Sequence, residues 1–238
     1  RWRDDLPEID LDWLQGRLGG HRLSDGLDVH ADGLTFQLAD GLRWPGGHVA
    51  LHWTQAKPGR FTLRGGLPHG ELKADQIDVA ALSALVVRLP APPELQKSVR
   101  SLAPEGRLES VQLSWEGETD QMPAEFAVKA QLKGVSWRSA DGFPGVQGLD
   151  AALDTNQAQG QAKLTVNAGA FEWPEVFEDA RLPVDQLQAL FKWQVEGQGQ
   201  KIRLQVPELS LANADLKGQA KLEWHTDDRK PDAPLAER

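Results

Sequence analysis

The sequence contains no cysteine, no tyrosine and a single methionine. Without cysteine there is no disulfide, no thiolate nucleophile and no Cys-ligated zinc or iron–sulfur centre. Basic charge is in the minority: 26 Lys and Arg stand against 35 Asp and Glu, a formal net charge of −9. A surface of that sign does not neutralise phosphates, which argues against nucleic acid as a partner. It also supplies no polybasic face for an anionic bilayer. No run of 18 or more apolar residues occurs, and no signal-peptide pattern. What is present is tryptophan, nine residues, with seven phenylalanines. At 238 residues the chain can build a sizeable core.

The strongest pattern is alternation with period two, which places every second side chain on one face of a strand. Phe126, Val128, Ala130 and Leu132 alternate with Ala127, Lys129, Gln131 and Lys133. Leu164/Val166, Ile202/Leu204/Val206 and Leu209/Leu211 alternate with polar partners, as do Leu222/Trp224. Earlier, Leu27/Val29, Leu34/Phe36/Leu38, Val49/Leu51/Trp53 and Phe61/Leu63 do the same. Between them stand turn formers such as Asp25-Gly26, Asp40-Gly41, Pro58-Gly59, Asp141-Gly142 and Gly197-Gln198-Gly199. The spacings are too short for crossover helices, so an antiparallel meander is predicted.

One region departs from this rhythm. Asp78 is a helix cap, and Val79, Leu82, Leu85, Val86 and Leu89 make a helical apolar stripe to about Arg88. Pro90 stops it, and a second short helix follows at Glu94–Leu102. The expected organisation is an N-terminal β part (1–77), a helical cap or corner (78–104) and a C-terminal β part (105–226). A polar tail (227–238) completes it, and both chain ends read as cuts in a longer chain. Residues 174–186 are read as an irregular crossing between strands. Glycines such as Gly134 are candidate bulges that flip the register.

Strands repeatedly end in an aromatic residue: Trp53, Trp115, Trp137, Trp173, Trp193 and Trp224. One account is ordinary packing on pleated sheets. A sharper one places the rings at the rim of an apolar trough with the indole N–H in water.

Catalytic patterns are missing: no G-x-S-x-G, H-E-x-x-H, P-loop or strand-to-helix G-x-G-x-x-G. His48 and His52 share a strand face but have no third ligand nearby, so no metal is assigned. Asp141 and Glu172/Glu175 beside aromatics sketch a glycosidase pair, which 35 acidic residues supply by chance. Asn213 and Asp215 read as turn residues. No catalytic residue and no cofactor is expected. An amphipathic sheet must cover its apolar face with a second sheet, another layer or a ligand. The pattern leaves a closed sandwich and an open trough both available.

The order of motifs resembles the YhdP family of AsmA-like proteins, more distantly related to TamB. It runs from Ile77-Asp78-Val79 through Leu82 and Leu85 to Leu89-Pro90, then Pro104-Glu105-Gly106 and Trp115-Glu116-Gly117. Phe143-Pro144-Gly145, Gly148-Leu149, Trp173-Pro174 and the Leu211–Asp215 strand continue it. The resemblance implies an internal segment of a protein anchored in the inner membrane and spanning the periplasm. It implies hairpins bent into an elongated hydrophobic groove that shields phospholipid acyl chains on the way to the outer membrane. The lining is expected at Phe126, Val128, Leu132, Leu164, Val166, Trp193, Val195, Ile202, Leu204, Val206, Leu209, Leu211, Leu222 and Trp224. The expected partners are a phospholipid and the remainder of the longer chain. Other readings are an envelope scaffold without lipid conduction and a carbohydrate-active β domain.

Overall fold

The computed structural model describes residues 10–55, 68–89, 91–117, 125–175, 181–196 and 201–226. The strand read at Phe61/Leu63, the turns at Pro58-Gly59 and Gly197–Gly199, and the tail 227–238 lie outside them. The strands are β1 (Leu11–Arg22), β2 (Gly26–Leu38), β3 (Arg43–Trp44), β4 (His48–Thr54), β5 (His69–Asp78) and β6 (Glu105–Glu116). They continue as β7 (Glu125–Trp137), β8 (Gly145–Asn156), β9 (Gln159–Glu172), β10 (Arg181–Glu196), β11 (Lys201–Ala212) and β12 (Lys217–His225). All twelve belong to one antiparallel sheet, in the order β1-β2-β4-β5-β6-β7-β8-β9-β10-β11-β12, with β3 paired to β2 alone.

Each strand therefore lies beside its neighbour in sequence, as short hairpin connections dictate. The ends of this order, β1 and β12, do not pair with each other among the described residues. The sheet is thus open, and among the described residues no second sheet packs against it. The closed sandwich that the pattern alone left available is not the fold adopted.

The two helices connect β5 to β6, which pair directly from His69↔Glu116 to Asp78↔Arg107. Helix α1 (Val79–Val86) begins where the Asp78 carboxylate accepts the N–H of Ala81 at 2.8 Å, a side-chain N-cap. Helix α2 (Pro93–Leu102) starts on a proline, whose missing N–H costs nothing in a first turn, and ends at Ala103 with φ 43°. Both match the boundaries expected from Asp78 and Pro90 to within two residues. The 174–186 reading needs correction: Arg181–Gln186 are strand, with Arg181↔Glu172, Leu182↔Phe171 and Gln186↔Asn167 in register. Pro183 hid this, yet its missing N–H is tolerated because it lies beyond Gln186↔Ala212, where pairing with β11 begins.

Bulges shape the sheet. Register shifts interrupt β1–β2, β6–β7, β7–β8, β8–β9, β10–β11 and β11–β12. Several coincide with left-handed backbone at Gly33 (φ 57°), Ser110 (φ 51°), Gly134 (φ 56°) and Gly148 (φ 73°). An extra residue bends its strand and raises the local twist. It also exchanges which parity faces the core. In β7 the apolar face passes from Ala130 and Leu132 to Val135, and in β11 from Leu204 and Val206 to Leu209.

Candidate functional site: an apolar face open along one margin

Directly paired residues of an antiparallel sheet share a face, so the registers can be followed from edge to edge. One row reads Gly20–Val29–Leu51–Leu72–Leu113–Val128–Thr155–Gly160–Trp193–Leu204–Trp224, crossing eleven strands. The next row on the opposite face reads His30–Ala50–Lys73–Gln112–Lys129–Asp154–Gln161–Lys192–Gln205–Glu223. One side of the sheet is oily along its whole length and the other is wet.

All fourteen residues expected to line a groove fall on the apolar side. Val128, Trp193, Leu204 and Trp224 belong to the row just described. Phe126, Val195 and Ile202 flank it toward one margin, with Phe126 opposite Trp115 and Val195 opposite Ile202. Val206 and Leu222 are opposite each other in the row on its other flank. Leu132, Leu164 and Leu209 lie deeper, Leu132↔Leu108 and Leu164↔Ala189↔Leu209, followed by Val166↔Leu187↔Leu211.

Accessibility divides this face in two. In the long row no residue is buried, from Val29 to Trp224. Toward the other margin the side chains close up: Leu38 and Val146 are 2% exposed, Val184 1% and Val166 0%. A cluster of Val146, Leu149, Val166, Val184 and Leu187, with Trp137 and Phe171 against it, forms a dry core. A second cluster, Ala74, Ile77, Val111 and Ala130, packs against Trp44 and Val49. Helix α1 packs against β5 and β6, and the burial elsewhere in this single layer fits a sheet that curls over its own apolar side, as bent, bulged strands allow. Of the expected lining residues, Val166 and Val206, at 0% and 2% exposure, belong to this enclosed part. Leu204 and Val128 remain partly open.

Two tryptophans lie flat on the sheet. A Cβ added to Gly70 would meet the Trp115 ring at 2.0 Å, and one added to Gly160 would meet Trp193 at 2.2 Å. Each indole thus covers a glycine on the neighbouring strand, Gly70↔Trp115 and Gly160↔Trp193. The Trp115 indole nitrogen is buried without a hydrogen-bond partner, and that of Trp137 donates to the Pro144 carbonyl at 2.9 Å. For Trp115 and Trp137 the reading with the N–H in water fails, and Trp115 and Trp193 tile the floor.

The polar face carries ordinary surface electrostatics. His48 Nδ1 lies 2.9 Å from Asp75 and His52 contacts Asp28, so the two histidines serve different carboxylates. Among the described residues no group of three or more His, Cys, Asp or Glu is placed to hold a metal. Burial pushes the Asp75 carboxyl up, but the N–H groups of His48 and Gln76 and the His48 ring outweigh it and hold it below the ordinary carboxylate range. Asp150 is held low by the Gly134 N–H first, against burial, with the Lys133 ammonium adding to it. Asn213 accepts from the N–H groups of Asp215 and Leu216, which makes it a turn residue. Glu172 accepts from the Gln147 amide at 2.8 Å.

Sheet, helix pair and apolar row are the features the motif order implied, and the family model described as YhdP protein matches residues 1–236. The chain belongs to the YhdP family. No curated protein and no solved structure matches it. Among the described residues of this YhdP-family chain, no helix is long and apolar enough to cross a membrane. The bulge at Gly134 was anticipated, whereas the one at Ser110, the dry half of the apolar face and the Trp-over-Gly contacts escaped sequence reasoning. The glycines at 70 and 160, each on the apolar parity of its strand, were the available signal for the last of these.

Proposed function

We propose that this segment shields lipid acyl chains on the open margin of its apolar face, as one length of a periplasmic conduit toward the outer membrane, without catalysing a reaction. The observation that carries the reading is the partly accessible row from Val29 to Trp224, apolar but for Thr155. Nine inter-strand steps of about 4.8 Å make it roughly 43 Å long. Carrying acyl chains through water costs about 0.8 kcal/mol per exposed CH₂, and a continuous apolar track removes most of that cost. A head group stays in solvent, so no polar pocket is needed. Membership of a lipid-transport-type family supports the same reading.

Native mass spectrometry of the purified chain, followed by lipid extraction, tests it. Co-purifying diacyl lipid is the expected result. A lipid-free protein that fails to take up added phospholipid refutes the reading.

A scaffold role is the second reading, favoured by sheet edges that are unpaired among the described residues. At one such edge, strand β12 exposes Leu222 and Trp224, 56% and 53%.

A further inference from the structure

We propose that Arg22 holds the phosphate of a glycerophospholipid whose acyl chains lie on the accessible row, at the β1 end of that row. The assignment rests on the lipid-shielding reading above. Arg22 pairs with Leu27 across the β1–β2 hairpin, and Gly20 pairs with Val29, so the guanidinium belongs to the apolar side. Within the described strands, the registers put no other charged side chain on that face. Arg22 is exposed, and among the described residues no carboxylate or hydrogen-bonding group engages it. The cations of the polar face, by contrast, are commonly paired, as Lys129 is with Asp154 and Lys133 with Asp150.

A guanidinium offers a planar fork of donors that fits a phosphate in bidentate fashion. Its surroundings select an amphiphile over a free anion. Leu27 lies beside it, and two residues back Gly20 leaves the face bare next to Val29. A phosphate at Arg22 therefore has an unobstructed apolar lane leading from it into the row. Thr155, the polar side chain in that row, is already occupied, since its hydroxyl donates to the Gln159 carbonyl at 3.2 Å. The head-group end of the lipid is thus placed at the margin of the β1–β2 turn, away from the dry core.

A charge pointing inward from an edge strand can instead guard that edge against pairing, and the two roles separate experimentally. The probes are phosphatidylglycerol and diacylglycerol with brominated acyl chains, each in neutral-detergent micelles, read by quenching of tryptophan fluorescence. Wild type, Arg22→Gln and Arg22→Lys are compared at low and high salt, with sedimentation velocity on each. Arg22→Gln is expected to weaken phosphatidylglycerol binding about fivefold, roughly seven-tenths of a tenfold step in free energy, and to leave diacylglycerol unchanged. Arg22→Lys should retain most of the preference, and high salt should erase it. Equal weakening of both lipids, or no weakening, overturns the assignment. So does a variant that self-associates while its lipid preference is intact. If neither lipid quenches wild type, the lipid-shielding reading falls with it; quenching without a phosphate preference removes only the role of Arg22.

Discussion

The Asp150 carboxylate on β8 accepts the backbone N–H of Gly134 on β7 at 2.8 Å, and Ser136 on β7 accepts the N–H of Gly148 on β8 at 3.0 Å. Each strand thus holds the other's bulge open by accepting the N–H that the ladder leaves without a partner. The bend in this part of the sheet is written into side chains as well as into glycine. Asp150→Ala should cost about 1 kcal/mol, since a hydrogen bond to a charged group is lost at a half-exposed site. Gly134→Ala should cost about 1 kcal/mol for a different reason: a Cβ there meets nothing within 4 Å, but φ is +56°. Urea unfolding of both variants and their combination measures this. Additivity of the two costs would show that the bond and the backbone conformation act independently, contrary to the pinning described.

Acid should weaken the fold in a defined window. Asp40, Asp75 and Asp150 all lie below the ordinary value of 3.8. A carboxyl whose folded pKa is depressed contributes stability that is complete above the unfolded value and lost as pH falls through the folded one. These three groups should therefore leave stability flat between about pH 7 and 5, and reduce it below about pH 4. In Asp150→Asn the loss between pH 7 and pH 3 should be smaller than in wild type. An equal loss in both proteins would mean that Asp150 is not part of the response.

The sheet and its helical corner were legible in the sequence because their signals are local. Alternation over Phe126–Leu132 and Ile202–Val206 survives in single strands, and Asp78 with Pro90 brackets α1. Which half of the apolar face is dry was not legible. Val128 and Val166 have the same alternating context, yet one is open and the other fully enclosed. The difference arises from neighbours on other strands and from bulges at Gly134, Gly148 and the Pro207-Glu208 step, where a non-local register shift exchanges parity. Gly134 could be suspected from its type. Ser110, with φ 51°, could not, because serine carries no sequence signature of left-handed backbone.

The Trp115–Gly70 contact gives a spectroscopic prediction. Gly70→Ala places a methyl 2.0 Å from the Trp115 ring, so the indole must lift from the sheet. Overpacking of this kind costs about 1–3 kcal/mol. Because the indole N–H is buried without a partner, lifting lets it meet water, and tryptophan emission should shift to the red. Gly218→Ala is the control, since nothing lies within 4 Å of a Cβ there. An unshifted spectrum for Gly70→Ala would show that the ring does not rest on the glycine.

The division of the apolar face leads to the most discriminating pair of substitutions. Leu204, between Trp193 and Trp224 in the accessible row, can take a glutamate whose carboxylate reaches solvent. Its cost is mainly lost apolar burial, about 1–2 kcal/mol. Val166 is 0% exposed, and an aspartate there is a buried, unpaired charge, which should unfold the chain. Circular dichroism melts should show a folded Leu204→Glu and an unfolded Val166→Asp. Leu204→Glu should also lose co-purifying lipid, because a carboxylate interrupts the track that acyl chains would follow. Arg203→Glu, the adjacent residue on the wet face, changes charge by more and should keep its lipid. If Leu204→Glu folds and retains lipid as wild type does, acyl chains do not use this row. If it unfolds as Val166→Asp does, the row belongs to a closed core and is not a path for acyl chains.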